Sequence, residues 1–222
     1  MDYNSLKQFD LIFPGERIND EDSHRALQNY LFLRRIQDLF IEAVTSYALF
    51  QQPIPVTVEN IQDIINEDGD KSPYEKCLNR IYAKAFVFAI DSIGKHLKQL
   101  TKLHPPKEVK RFHKEFEKHF QSAKKIRDSV SHSEERSLGK YKGELLNTPF
   151  INIGCFSGNE LGFSGKDGKE YSIAISEVTL KKAKEIIQNI INSYSWMHPT
   201  AEELLAHGMA SMSGYEEGTS PK

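Results

Sequence analysis

Four segments of this chain carry apolar residues at every third or fourth position, and this helical period constrains the fold more than any other feature of the sequence. They span roughly residues 20–50, 74–97, 107–132 and 177–194. Each segment predicts an amphipathic helix with a single buried face. On the first helix the predicted buried face comprises Leu27, Tyr30, Leu31, Arg34, Leu39, Phe40, Ala43, Val44 and Tyr47. The predicted fold class is therefore mainly α, a helical bundle.

Capping residues and prolines indicate where the helices begin and end. Asn19 or Asp20 is the predicted cap of the first helix, and Ser176 that of the last. The pair Pro105–Pro106 breaks the chain after the second helix. The third segment is then predicted to form one helix that ends near His132.

Between the third and fourth helical segments, apolar residues recur at every second position. Apolar residues alternate with polar or small ones from Ile151 to Cys155, from Leu161 to Phe163 and from Tyr171 to Ile175. Glycine-containing turns separate these runs. A small three-stranded antiparallel β meander is thus predicted at about residues 149–175, before the last long helix.

Length and composition indicate one soluble domain. Residues 1–198 are expected to form it, with residues 1–19 as an irregular arm, and residues 199–222 are expected to be a partly disordered tail. No run approaches the roughly 18 apolar residues of a membrane span, and no signal peptide is recognisable at the N-terminus. Cys77 and Cys155 are expected to be buried, reduced thiols. These features predict a cytoplasmic protein without a membrane partner.

The net charge of −2 argues against a protein coated in basic surface. Locally the balance is different, since residues 107–127 contain eight Lys or Arg against three Asp or Glu. This surplus is typical of a solvated helix face, or of a surface that attracts phosphate. His113 and Glu117 have a spacing that suits a metal, but further ligands are missing, so neither a metal nor another cofactor is predicted.

The chemistry of the chain is predicted at the end of the third helix. Arg127, Asp128 and His132 cluster there, with Asp128 and His132 four positions apart on one face. A histidine transfers protons near neutral pH, and a guanidinium suits a phosphate. Such a set can cleave RNA without a metal, the ribose 2′-hydroxyl attacking its own phosphate. However, Arg127 and His132 are five residues apart and point about 140° away from each other on an ideal helix.

The run from Arg127 to His132 resembles the RxxxxH motif of the HEPN superfamily, with a polar residue directly after the arginine. The resemblance implies a HEPN-like helical bundle that forms a homodimer with a composite cleft. It also implies RNA as the substrate, and a toxin–antitoxin or phage-defence setting with an antitoxin or other protein partner. The catalytic groups implied are Arg127, Asp128 and His132. Ser131, four residues after Arg127, and the basic Lys124 and Lys125 beside the motif are predicted to bind the substrate.

Two functions follow from these residues. One is a metal-independent endoribonuclease, in which His132 acts as general acid and base, Arg127 stabilises the phosphate charge and Asp128 orients them. The other is a non-catalytic HEPN-like module that binds RNA, a nucleotide or a protein partner. A salt bridge between Arg127 and Asp128, with His132 stabilised by the end of the helix, is the purely structural alternative. Arg127 and His132 converging on solvent would favour the enzyme, whereas a buried Arg127–Asp128 pair would favour the module.

Overall fold

The computed structural model describes residues 3–52, 73–131, 140–141, 144–145, 155–164 and 169–198. These residues form a mainly helical protein with small antiparallel sheets. The helices are α1 (Tyr3–Leu6), α2 (Ser23–Gln51), α3 (Pro73–Leu100), α4 (Lys107–His119), α5 (Gln121–Ser131) and α6 (Glu177–Asn192), and a 3₁₀ turn spans Lys7–Phe9. In the part of the chain described, no helix is both long and apolar enough to cross a membrane.

The third predicted helix is in fact two helices, α4 and α5, which meet at Phe120. The backbone of Phe120 leaves helical geometry at φ −113° and ψ 22°. Its amide still donates to the carbonyl of Phe116, and its own carbonyl accepts from the amide of Ala123, at 3.0 Å. The apolar period continues through this break, which explains why the pattern did not reveal it. Its members Val109, Phe116, Phe120, Ala123 and Ile126 are buried, whereas Phe112 and Val130 are partly buried.

The start of α2 also differs from the prediction. Its cap is Asp22, whose carboxylate accepts from the amides of His24 and Arg25 at 3.1 Å each. Asp20, by contrast, forms an ion pair with the Arg25 side chain. For α6 the predicted cap is confirmed, since the Ser176 hydroxyl accepts from the amide of Thr179 at 3.3 Å.

Helix α3 contributes most to the centre of the core. It packs along α2 on one side and against α4 and α5 on the other. Its residues Phe86, Val87, Ile90, Ile93, Leu97 and Leu100 are completely inaccessible to solvent. The predicted buried face of α2 was wrong at Leu27 and Leu31, which are 54% and 56% exposed. Leu33 and Ile36 are buried in their place.

The strands are β1 (Arg17–Ile18), β2 (Lys140–Tyr141), β3 (Glu144–Leu145), β4 (Cys155–Ser157), β5 (Glu160–Ser164), β6 (Glu170–Ala174) and β7 (Trp196–Met197). Strands β4, β5 and β6 form one antiparallel sheet in chain order, in which Leu161 lies opposite Ile173. This sheet packs against α5. The two-stranded pairs β1–β7 and β2–β3 were not predicted.

Candidate functional site

Arg127 lies on α5, and two carboxylates hold its guanidinium group. Its Nε donates to Asp91 Oδ2 of α3 at 3.0 Å, and its Nη2 lies 3.1 Å from Asp128 Oδ1. The Asp91 side chain is only 6% exposed, whereas those of Arg127 and Asp128 are 23% and 39% exposed. The orientation of the guanidinium is therefore fixed by contacts on two edges, while Nη1 forms no hydrogen bond or ion pair with a described residue.

Asp91 pairs with a second cation. Lys95, one turn further along α3, places its Nζ 2.6 Å from the same Oδ2 atom that accepts from Arg127. An unpaired carboxylate buried this deeply would be strongly unfavourable, and these two cations offset that cost. Asp91 thus connects α3 through charged hydrogen bonds to α5, the helix that carries Arg127.

A cavity of about 290 Å³ opens beside this network, between α3 and the junction of α4 with α5. Helix α3 lines one wall, and residues on both sides of the break at Phe120 line the other. The break therefore shapes the pocket. The lining residues are Ile90, Asp91, Gly94, Lys95, Lys98, Phe116, Glu117, Phe120, Gln121, Lys124 and Lys125. We call this cavity the lysine pocket.

Four lysines give the pocket a surplus of positive charge. Lys95 is paired with Asp91, but Lys98, Lys124 and Lys125 form no ion pair with any described residue. The Nζ of Lys125 lies 5.5 Å from the centre of the Tyr171 ring, which is a cation–π contact that leaves the charge uncompensated. Among the lining residues, only Asp91 and Glu117 are acidic. An anion would therefore be attracted to this cavity.

The predicted site residues divide into three groups. Arg127 and Asp128 are brought into direct contact, and Lys124 and Lys125 line the adjoining pocket. Ser131 is the exposed last residue of α5, one turn after Arg127. His132 lies outside the described residues, as does the predicted tail at 199–222.

His113 lies on α4, one turn before the pocket residue Glu117. It is 8% exposed, and its Nε2 has no hydrogen-bond partner among the described residues. Glu117 Oε1 is 3.5 Å from that nitrogen, a separation that forms an ion pair only if the imidazole is protonated. Burial lowers the pKa of His113; Glu117 opposes this effect and Lys98 adds to it. No group of three or more potential metal ligands occurs in the described ranges.

Sequence reasoning missed Asp91, Lys95 and Lys98 on α3. A signal was present for Asp91, because it is the single charged residue in the run AFVFAIDSIG at residues 85–94. A carboxylate on an apolar helix face is rarely buried without a cationic partner. Cys77 was also predicted wrongly, because its thiol is exposed.

Comparison with known proteins adds no family to these observations. No family model, no curated protein and no solved structure matches this chain.

Proposed function

We propose that this protein is a HEPN-like endoribonuclease that cleaves RNA without a metal ion, with Arg127, Asp128 and His132 as its catalytic residues. The observation that carries this proposal is the hydrogen bond from Arg127 to the buried Asp91, at the edge of a pocket rich in lysine. A guanidinium that is oriented before the substrate binds loses little freedom when it meets a phosphate.

In this proposal Arg127 stabilises the charge that develops on the phosphate during cleavage. The 2′-oxygen bonds to phosphorus while the bond from phosphorus to the 5′-oxygen breaks. His132 removes the proton of the 2′-hydroxyl or supplies the proton to the leaving 5′-oxygen. The products are a cyclic 2′,3′-phosphate and a 5′-hydroxyl. A homodimer would bring a second motif close to the first, which is needed if Arg127 and His132 of one helix diverge.

One observation favours a second candidate, a non-catalytic module that binds RNA or a nucleotide. Arg127 contacts Asp91 and Asp128 together, so its charge is already compensated before any phosphate arrives. A fully buried Arg127–Asp128 pair was the feature expected of such a module. The observed pair is half-buried, so it meets that expectation only in part. Under this alternative the lysines of the pocket bind phosphate. The ion pairs of Arg127 with Asp91 and Asp128 then serve only to stabilise the contact of α3 with α5.

The deciding experiment is cleavage of single-stranded RNA by the purified protein in EDTA. We expect wild type to release cyclic phosphate ends. His132→Ala should reduce the rate about 10²- to 10⁴-fold, and Arg127→Ala about 10²- to 10³-fold. Arg127→Lys should not restore activity, because an ammonium group cannot form the same two-edged contact.

Three controls make this result interpretable. An RNA with 2′-deoxyribose at the cleaved position should be resistant, since it lacks the nucleophile. Lys118→Gln, on the exposed side of α4, should retain the wild-type rate. Light scattering should find the same oligomeric state in all variants. If wild type and the motif variants are equally inert on varied RNAs, the binding module becomes the better account.

A further inference from the structure

We propose that the lysine pocket binds one nucleotide, with the phosphate at Lys98 and Lys124 and the base against Phe116 and Phe120. Neither Arg127 nor Asp128 lines this pocket, so binding there does not require that the protein cleave RNA. The nucleotide is either free or part of a single-stranded RNA. Binding of a nucleotide that is part of RNA rests on the function proposed above, whereas binding of a free nucleotide does not.

The phosphate position follows from the charges. Lys98 and Lys124 are exposed at the rim, approach the cavity from α3 and α5, and have no acidic partner among the described residues. Two ammonium groups on different helices can contact separate oxygens of one phosphate. Lys125 adds a third positive charge, whereas Lys95 is occupied by Asp91. These contacts would be charge-assisted, and so stronger than neutral hydrogen bonds.

The base position follows from the apolar floor. The rings of Phe116 and Phe120 are 4.5 Å apart between centres and inclined by 47°, and because they are only 1% and 8% exposed, a base would meet their edges rather than a flat face. An aromatic edge against the face of a base is a favourable arrangement, and it does not depend on the identity of the base. Glu117 and Gln121 line the same space and offer acceptors and donors to the edge of a base.

Gly94 supports the same assignment from the opposite wall. A Cβ atom at this position would lie 3.5 Å from the Phe116 ring, which is ordinary contact. Because Gly94 has no side chain, none extends from this position into the cavity that it lines. At about 290 Å³ the cavity is near the lower end of small-molecule sites, a size that suits one nucleotide but not a duplex.

The test is calorimetric titration of adenosine monophosphate, with ribose 5-phosphate and adenosine as matched ligands that lack the base or the phosphate. We expect the monophosphate to bind at least tenfold more tightly than either. The double variant Lys98→Gln/Lys124→Gln should weaken its binding at least tenfold. The matched control Lys114→Gln/Lys118→Gln, on the exposed face of α4, should stay within about twofold of wild type.

A second pair of variants tests the volume of the cavity instead of its charge. Gly94→Leu should reduce binding by filling the cavity, whereas Gly94→Ala should not, and both should fold because they remove a glycine from a helix interior. The proposal is overturned if adenosine monophosphate does not bind at millimolar concentration or if ribose 5-phosphate binds equally well. It is also overturned if both lysine pairs weaken binding to the same extent.

Competition distinguishes the two sources of the nucleotide. A short single-stranded RNA without a terminal phosphate should displace labelled adenosine monophosphate at lower concentration than the free nucleotide if RNA is the natural ligand. Weaker displacement by RNA assigns the pocket to a free nucleotide. Cleavage of RNA without nucleotide binding would refute this inference alone, whereas binding without cleavage would refute only the nuclease.

Discussion

At the scale of single residues, the position of Arg127 depends on Asp91. Asp91→Asn keeps the shape of the side chain but removes the charge that compensates Arg127 and Lys95. We expect a loss of about 1–3 kcal/mol in the free energy of unfolding, measured by urea denaturation. Asp128→Asn should cost less than about 1 kcal/mol, because Asp128 is half exposed. Equal losses in the two variants would show that Asp91 is not the residue that holds the guanidinium.

His113 should make the stability of the protein depend on pH. Burial lowers its pKa in the folded state, so below about pH 6.5 the unfolded chain binds a proton that the folded protein refuses. This contribution to stability is complete above that pH and is lost as the pH falls toward the lowered pKa. We expect urea midpoints between pH 7.5 and 5 (roughly the range in which histidine titrates) to fall less steeply for His113→Gln than for wild type.

The exposed His119 of the same helix provides the control for that measurement. His119→Gln removes an imidazole from the surface and leaves His113 in place, so it should retain the wild-type dependence on pH. If the His113 variant lost stability with the same slope as wild type, the acid sensitivity would have to come from other groups.

At the scale of elements, the N-terminal arm is joined to the end of the described chain by a close backbone approach. Strand β1 pairs with β7, and the Glu16 amide donates to the Met197 carbonyl at 3.1 Å. A Cβ atom on Gly15 would lie closer to the Met197 carbonyl oxygen than Cβ atoms lie to other atoms in folded proteins. We expect Gly15→Ala to cost about 1–3 kcal/mol and to expose the arm to limited proteolysis.

Gly94→Ala is the matched glycine control, since its Cβ would meet Phe116 at ordinary distance within a helix. It should leave stability unchanged or raise it by about 0.5–1 kcal/mol. A loss in both variants would indicate a general intolerance of the backbone rather than the specific approach of Gly15 to Met197.

The helices were predictable from the sequence because their apolar period is long and regular, and Ser176 identified the start of α6 correctly. The break at Phe120 was not, because a helix can bend without losing the period of its buried residues. Leu27 and Leu31 show a related limit: periodicity indicates an apolar stripe, but only tertiary contacts decide which part of it is covered. The contact of Asp91 with Arg127 spans 36 residues, and local spacing carries no information about it.

At the scale of the whole molecule, a chain of net charge −2 carries a local surplus of positive charge within the residues that the structure describes. The lysine pocket and the motif beside it carry five cations and three carboxylates. If RNA instead followed the basic side of α4, its phosphate contacts would be distributed along that helix. The two cases differ in which lysines determine the dependence of RNA binding on salt.

Each phosphate contact to single-stranded RNA contributes about −0.7 to the slope of the logarithm of affinity against the logarithm of salt concentration. If Lys98 and Lys124 contact one phosphate and Lys125 and Arg127 contact one each, we expect a slope of about −2, measured by fluorescence anisotropy with His132→Ala to prevent cleavage. Lys98→Gln/Lys124→Gln should reduce its magnitude by about 0.7, because both lysines contact the same phosphate, whereas Lys114→Gln/Lys118→Gln should leave it unchanged. Equal reductions would mean that RNA follows the basic face of α4 and does not use the pocket.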